Sequence, residues 1–298
     1  MFAQDQYQLL DFGDGRRLER FADWILDRPC PAAENHTMAD PPAWQRTHAR
    51  FIRTEDDKGR WNLTSERELP QRWLVAHGPF SLELKRSPFG HVGMFPEQAQ
   101  NWDWIARQVR SAGRTLKVLN LFAYTGGSTL AAAAAGAQVT HIDAARNTVA
   151  WARRNAELSG LADAPVRWIA DDALKFVRRE LRRQNHYDAV ILDPPSYGHG
   201  ARGEVWQLPK HLPELLSMCG ELTAQSRAFM LLTCHTPGYG YNELRAMLDE
   251  AFVRGSDTAK DGCATTTGGR YSGGPLYIAA ATGRRLPCGV SLQWEAKE

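Results

Sequence analysis

A chain of 298 residues exceeds one ordinary domain, and with 43% apolar and 23% charged residues it lies among globular chains, away from disordered or fibrous ones. A net charge of +2 neither requires nor excludes a nucleic-acid partner, so any basic surface is local, and composition does not fix an oligomeric state. The five cysteines, Cys30, Cys219, Cys234, Cys263 and Cys288, are odd in number and form no CxxC pair, so neither a disulfide framework nor a metal site is expected.

The chain begins Met1-Phe2-Ala3-Gln4, without a basic stretch followed by an apolar run, and no window approaches a membrane-spanning length. A cytoplasmic protein with no membrane association is expected. Residues 1–75 read as a small strand-rich accessory domain that helps present a substrate, opening on a hairpin around Gly13-Asp14-Gly15. Pro31 to Trp44, rich in proline, reads as an extended loop. Alternation from Trp73 to Leu84 predicts further strands, and a glycine-rich segment, Phe89 to Pro96, follows.

Residues 76–298 read as a second domain, and from about residue 98 short aliphatic runs alternate with helical stretches, the pattern of a parallel sheet covered by helices. Strands are predicted at 116–121, 138–142, 166–170, 189–192, 228–232 and 276–280. Helices are predicted near 128–135, 146–159 and 172–183. Right-handed crossovers bring the carboxyl ends of the parallel strands to one edge, where ligands bind in such sheets.

The first of these strands ends Asn120-Leu121-Phe122-Ala123-Tyr124-Thr125-Gly126-Gly127, and a helix begins at once, so Asn120, Phe122, Tyr124, Thr125, Gly126 and Gly127 are read as contacts to a cofactor. Glycine there permits a close approach to the main chain, and the helix start offers amide donors to an anion, although any tight connection uses glycine. The second strand ends at Asp143, where a doubly wound nucleotide site places an acid against the ribose hydroxyls. At the end of the third, Asp172 can accept from an adenine amino group or cap the next helix. The fourth stops at Asp193-Pro194-Pro195-Ser196-Tyr197, where prolines remove backbone donors and leave carbonyls to accept. There Asp193 and Pro194 can hold an amino group and Tyr197 can stack on a planar base. Cys234, ending the fifth strand, reads either as a nucleophile toward a pyrimidine or as a small buried thiol.

Gly90 to Gln98, Val118 to Gly127 and Asp193 to Ser196 together resemble the bacterial large-subunit ribosomal RNA methyltransferases, over roughly residues 78–298. The resemblance implies a class I, Rossmann-like sheet of seven mostly parallel strands and S-adenosylmethionine as cofactor, its methionyl carboxylate at the glycine turn. It also implies that Phe95 and Gln98 line a pocket, that Asn155 occupies a family position, and that a base of ribosomal RNA is methylated. Two features depart from the family. Residues 1–75 do not read as an RNA-binding domain of the PUA type, and Ser196 stands where cytosine-C5 enzymes carry a cysteine.

Cations cluster at Lys175, Arg178, Arg179, Arg182 and Arg183, at Arg46, Arg50, Arg53, Lys58 and Arg60, and at Arg284 and Arg285. Such clusters grip phosphates or form solvated faces. Trp44, Phe51 and Trp61 read either as stacking platforms or as core. The rival readings are a methyltransferase acting on a small molecule or protein side chain, and a binding module without catalysis.

Overall fold

The computed structural model describes residues 2–54, 58–64, 69–200, 203–257 and 268–297. Residues 1–100 with 276–288 form one compact unit, and residues 101–275 with 289–298 form another. The break expected near residue 75 falls inside the first unit. Cys263 lies outside the described residues.

In the first unit, strands β1 (Tyr7–Gly13) and β2 (Arg16–Phe21) pair through a turn in which Asp14 and Gly15 both take positive φ, 51° and 70°. That conformation matches the twist of the flanking strands. Strands β3 (Trp24–Pro29), β4 (Ala49–Arg53) and β5 (Gly59–Leu63) complete a five-stranded sheet in chain order, with β3 and β4 parallel. The proline-rich segment is not extended throughout. It holds a 3-10 turn at Pro31–Ala33 and a short helix α1 (Pro41–Trp44), because proline is tolerated where a helix start leaves its N–H unused. Buried Asp11 ties this segment down, accepting from the Asp40 amide at 3.0 Å and from Trp44 Nε1 at 2.9 Å. Burial alone would raise the Asp11 pKa, but the bonds from Trp44 and the Asp40 amide bring it below the ordinary value. Strands β6 (Arg72–His77) and β7 (Phe80–Lys85) form a separate hairpin.

Helix α2 (Ala99–Ser111) leads to the large sheet of the second unit. Its alternating elements are β8 (Lys117–Leu121), α3 (Gly127–Ala134), β9 (Gln138–Asp143), α4 (Arg146–Leu158), β10 (Val166–Ala170), α5 (Ala173–Arg182) and β11 (Ala189–Leu192). A short hairpin follows, β12 (Tyr197–His199) with β13 (Val205–Gln207), and then α6 (Leu208–Thr223), β14 (Phe229–Cys234), α7 (Tyr241–Asp257), β15 (Gly269–Ala279) and β16 (Arg285–Ala296). The strand order is β10-β9-β8-β11-β14-β16-β15. The first five run parallel and β16 runs antiparallel to β14, which makes the Rossmann-like, mostly parallel sheet of seven strands that the family resemblance implies. Every residue of β11 and β14 is buried, as expected for central strands covered on both faces. The order reverses between β8 and β11, so a crevice opens there at the strands' carboxyl ends.

Candidate active site

The exit of β8 is a strained turn. Phe122 and Tyr124 take left-handed φ, 56° and 48°, a conformation costing a non-glycine residue about 1–3 kcal/mol. Gly126 takes φ 92° and caps α3 without a side-chain bond, so the first amides of that helix face the turn. At Gly127 a Cβ would lie 2.4 Å from Trp102 Cζ2, so only glycine lets α3 approach that ring. The strain is held by side chains from three elements. Asp143 accepts from the amides of Tyr124 and Ala145, both at 3.0 Å. Asn155 on α4 donates Nδ2 to the Thr125 carbonyl at 2.9 Å. Beneath them Asn120 donates to Thr129 Oγ1 at 2.9 Å, and that hydroxyl lies 2.9 Å from His141 Nδ1.

This arrangement fits an adenosylated amino acid. The N-terminus of α3 offers donors to a carboxylate, and the Asp143 carboxylate stands at the end of the neighbouring strand, where a ribose diol would donate. Burial raises the Asp143 pKa above the ordinary value, opposed by the amides of Ala145 and Tyr124. Asn120, assigned to the cofactor from sequence, is buried and spends its amide on Thr129, so it supports the turn from below. Asp172 caps α5 by accepting from the Lys175 amide at 2.8 Å. Phe95 and Gln98 belong to the first unit, where Gln98 is buried in the 3-10 turn Pro96–Gln98 and the Phe95 ring packs at 5.5 Å from His91.

At the exit of β11, Asp193 Oδ1 accepts from Thr233 Oγ1 at 2.5 Å and lies 3.1 Å from His235 Nε2. Thr233 is the penultimate residue of β14 and His235 follows the strand, so two parallel strands hold the carboxylate between them. The Pro195 carbonyl is not left open as the sequence suggests, since it accepts from Trp206 Nε1 at 2.7 Å. That bond secures the β12–β13 hairpin, and the Trp206 ring also packs 4.8 Å from Phe122, joining the two exits. Tyr197, at the start of the hairpin, is 53% exposed.

Cys234 does not suit the role of nucleophile. It is 1% exposed, and burial raises its pKa, so the thiolate is disfavoured and the small buried thiol is the better reading. Sequence reading overlooked Thr233, His235 and Trp206. The only signal for the first two was their place beside Cys234 at a strand end.

About half of the clustered cations are engaged in ion pairs. Lys175 meets Glu204 at 2.5 Å, Arg178 meets Glu214 at 2.6 Å, and Arg179 meets Asp171. In the first unit Arg50 meets Asp27 and Arg284 meets Asp11, both at 2.6 Å. Phe51 and Trp44 are core residues, and the Trp61 ring packs 5.2 Å from Phe51. Among the described residues no group of three or more His, Cys, Asp or Glu could hold a metal ion, and no helix is long and apolar enough to cross a membrane.

A family model for S-adenosylmethionine-dependent methyltransferases matches residues 33–230. Among solved structures, the SAM-dependent methyltransferase from Agrobacterium tumefaciens is 38% identical, with a TM-score of 0.87, over 98% of this chain and 91% of that one. The protein SMU.776, crystallised with SAH, shares the fold at 16% identity and a TM-score of 0.73, over 98% of this chain and 76% of its own. A curated relative from Cellvibrio japonicus named ribosomal RNA large subunit methyltransferase K/L is 27% identical over 64% of this chain and 24% of its own length. The chain spans about a quarter or less of the first such relatives it matches. The fold, the strained glycine turn and these matches agree, and the chain belongs to the S-adenosylmethionine-dependent methyltransferase family.

Proposed function

We propose that the chain transfers a methyl group from S-adenosylmethionine to a base of ribosomal RNA. The observation that carries this reading is Asp193, held by Thr233 and His235 across the switch point from the glycine turn, with exposed Tyr197 four residues on. Bound S-adenosylmethionine supplies an electrophilic methyl group. The chain's part is alignment, since an in-line displacement gains more from orientation than from acid-base power. The cofactor residues are Phe122, Tyr124, Thr125, Gly126, Gly127, Asp143 and Asp172, with Asn120 and Asn155 supporting the turn. Phe95 and Gln98 are assigned to the pocket by family resemblance alone. Asp193 and the Pro194 carbonyl accept hydrogen bonds from the base, and Tyr197 stacks on its face. The substrate class draws its support from the names of the curated relatives.

The ion pairing of Lys175, Arg178 and Arg179 favours a second reading, a small-molecule acceptor, because those cations are already engaged. The deciding experiment incubates the purified chain with methyl-labelled cofactor and, in parallel, with large-subunit RNA, intact subunits and a small-molecule extract. Label in RNA is the expected result, and nucleoside digestion then names the methylated atom. Label confined to the extract overturns the RNA substrate and leaves methyl transfer standing.

A further inference from the structure

The end of the large sheet opposite the glycine turn holds a cavity of about 780 Å³, where Leu116 leads into β8 and Ala228 into β14. Among the described residues, five cations line it, Arg107, Arg114, Arg227, Arg270 and Lys297, against one carboxylate, Glu295. Arg270 is paired with Glu295, its Nε 2.8 Å from Oε1, and Arg114 is paired with Asp188 at 2.7 Å. The other three have no carboxylate partner among the described residues. Arg107 and Lys297 are exposed.

Arg227 is the most telling of them. Its guanidinium donates to the Gly220 carbonyl at 2.8 Å and to Thr223 Oγ1 at 2.9 Å, and lies 3.7 Å from the centroid of the Phe252 ring. Burial lowers its pKa to about 10, which still leaves it charged at neutral pH. A partly desolvated cation with no counter-charge among the described residues is costly, and an anion entering the cavity would offset that cost. Arginine forks match phosphate oxygens in geometry as well as charge. The lining offers no exposed aromatic face, so it suits phosphates better than bases.

We propose that this cavity is a phosphate-binding site, which takes the backbone of the RNA strand at the end of the sheet remote from methyl transfer. The choice of RNA as the source of the phosphates rests on the substrate reading above, whereas the site itself does not. A free polyphosphate would satisfy the same cations, so the test separates the two sources.

The test uses the full chain and the double variant Arg107→Gln with Lys297→Gln. Both residues are exposed and neither touches the glycine turn, so the melting temperature and cofactor Kd should match those of the parent. Fluorescence anisotropy with a short labelled single-stranded RNA is read across salt concentrations, alongside calorimetry with inorganic tripolyphosphate. Losing two phosphate contacts should weaken RNA binding about tenfold and flatten the slope of log K against log salt by roughly 1.4. If tripolyphosphate binding is lost in the variant while RNA binding is unaltered, the site stands and RNA as its source is overturned. Parent and variant behaving alike toward both probes overturns the site. Absence of RNA labelling together with variant-sensitive tripolyphosphate binding is a failure of the substrate reading, and it leaves the cavity's assignment intact.

Discussion

At the exit of β8 the turn is shaped by backbone atoms, half-buried Asp143 and buried side chains, with Asn120, Thr129, His141 and Asn155 all 2% exposed or less. At the exit of β11 Thr233 is buried, whereas Asp193 and His235 have side chains 31% and 36% exposed, and Tyr197 is 53% exposed. The first exit is preorganised by packing, so its amides are aimed before any ligand arrives, and a ligand common to a whole family can be held this way. The second exit is shaped by a few side-chain bonds, so an acceptor can be accommodated without disturbing the core. Substitutions at the two exits should therefore fail differently.

The two largest effects are expected at the two exits, and they should differ in what they change. Gly127→Val drives a side chain into Trp102, and calorimetry should show cofactor affinity reduced by roughly tenfold to a hundredfold, equivalent to about 1–3 kcal/mol of overpacking. An unchanged Kd would break the contrast. At the open exit, Asp193→Ala should lower turnover by about a hundredfold through lost alignment, with cofactor Kd and melting temperature nearly unchanged. A fall in cofactor affinity instead would make the two exits one unit.

The buried support should also show in the pH dependence of stability. His141 is fully buried, and burial lowers its pKa from 6.5 to about 3. The unfolded chain therefore takes up a proton first as pH falls, and stability present above about 6.5 is lost progressively down to about 3. Denaturation of the parent at pH 5 should show about 2 kcal/mol less stability from this group than at pH 7, and His141→Gln should remove that component of the slope. The smallest effect is expected at Cys234→Ala, with turnover preserved and stability reduced by about 1 kcal/mol. Abolished methyl transfer in that variant would restore covalent catalysis.

Much of the sheet is legible in the sequence because its parallel strands are short aliphatic runs with abrupt ends. Val166–Ala170 and Ala189–Leu192 fall where the pattern puts them. Strand β16 was not foreseen, since Arg285–Ala296 contains Pro287, Cys288 and Gly289 and pairs with β14 by long-range contact. The same limit hid the β12–β13 hairpin, whose strands have three residues each and depend on Trp206 reaching back to Pro195.

Sequence alone determined the α/β order, the glycine turn and the acidic strand ends, because these depend on local conformational preference and on hydrophobic runs. Tertiary structure decided how each polar group is spent. Asp193 finds His235 across 42 residues, Lys175 and Arg178 find Glu204 and Glu214, and Arg227 finds no carboxylate among the described residues. A charge in sequence shows only what a residue can bind. Whether it is already bound depends on which side chains the folded sheet brings within hydrogen-bonding distance, and spacing along the chain does not encode that.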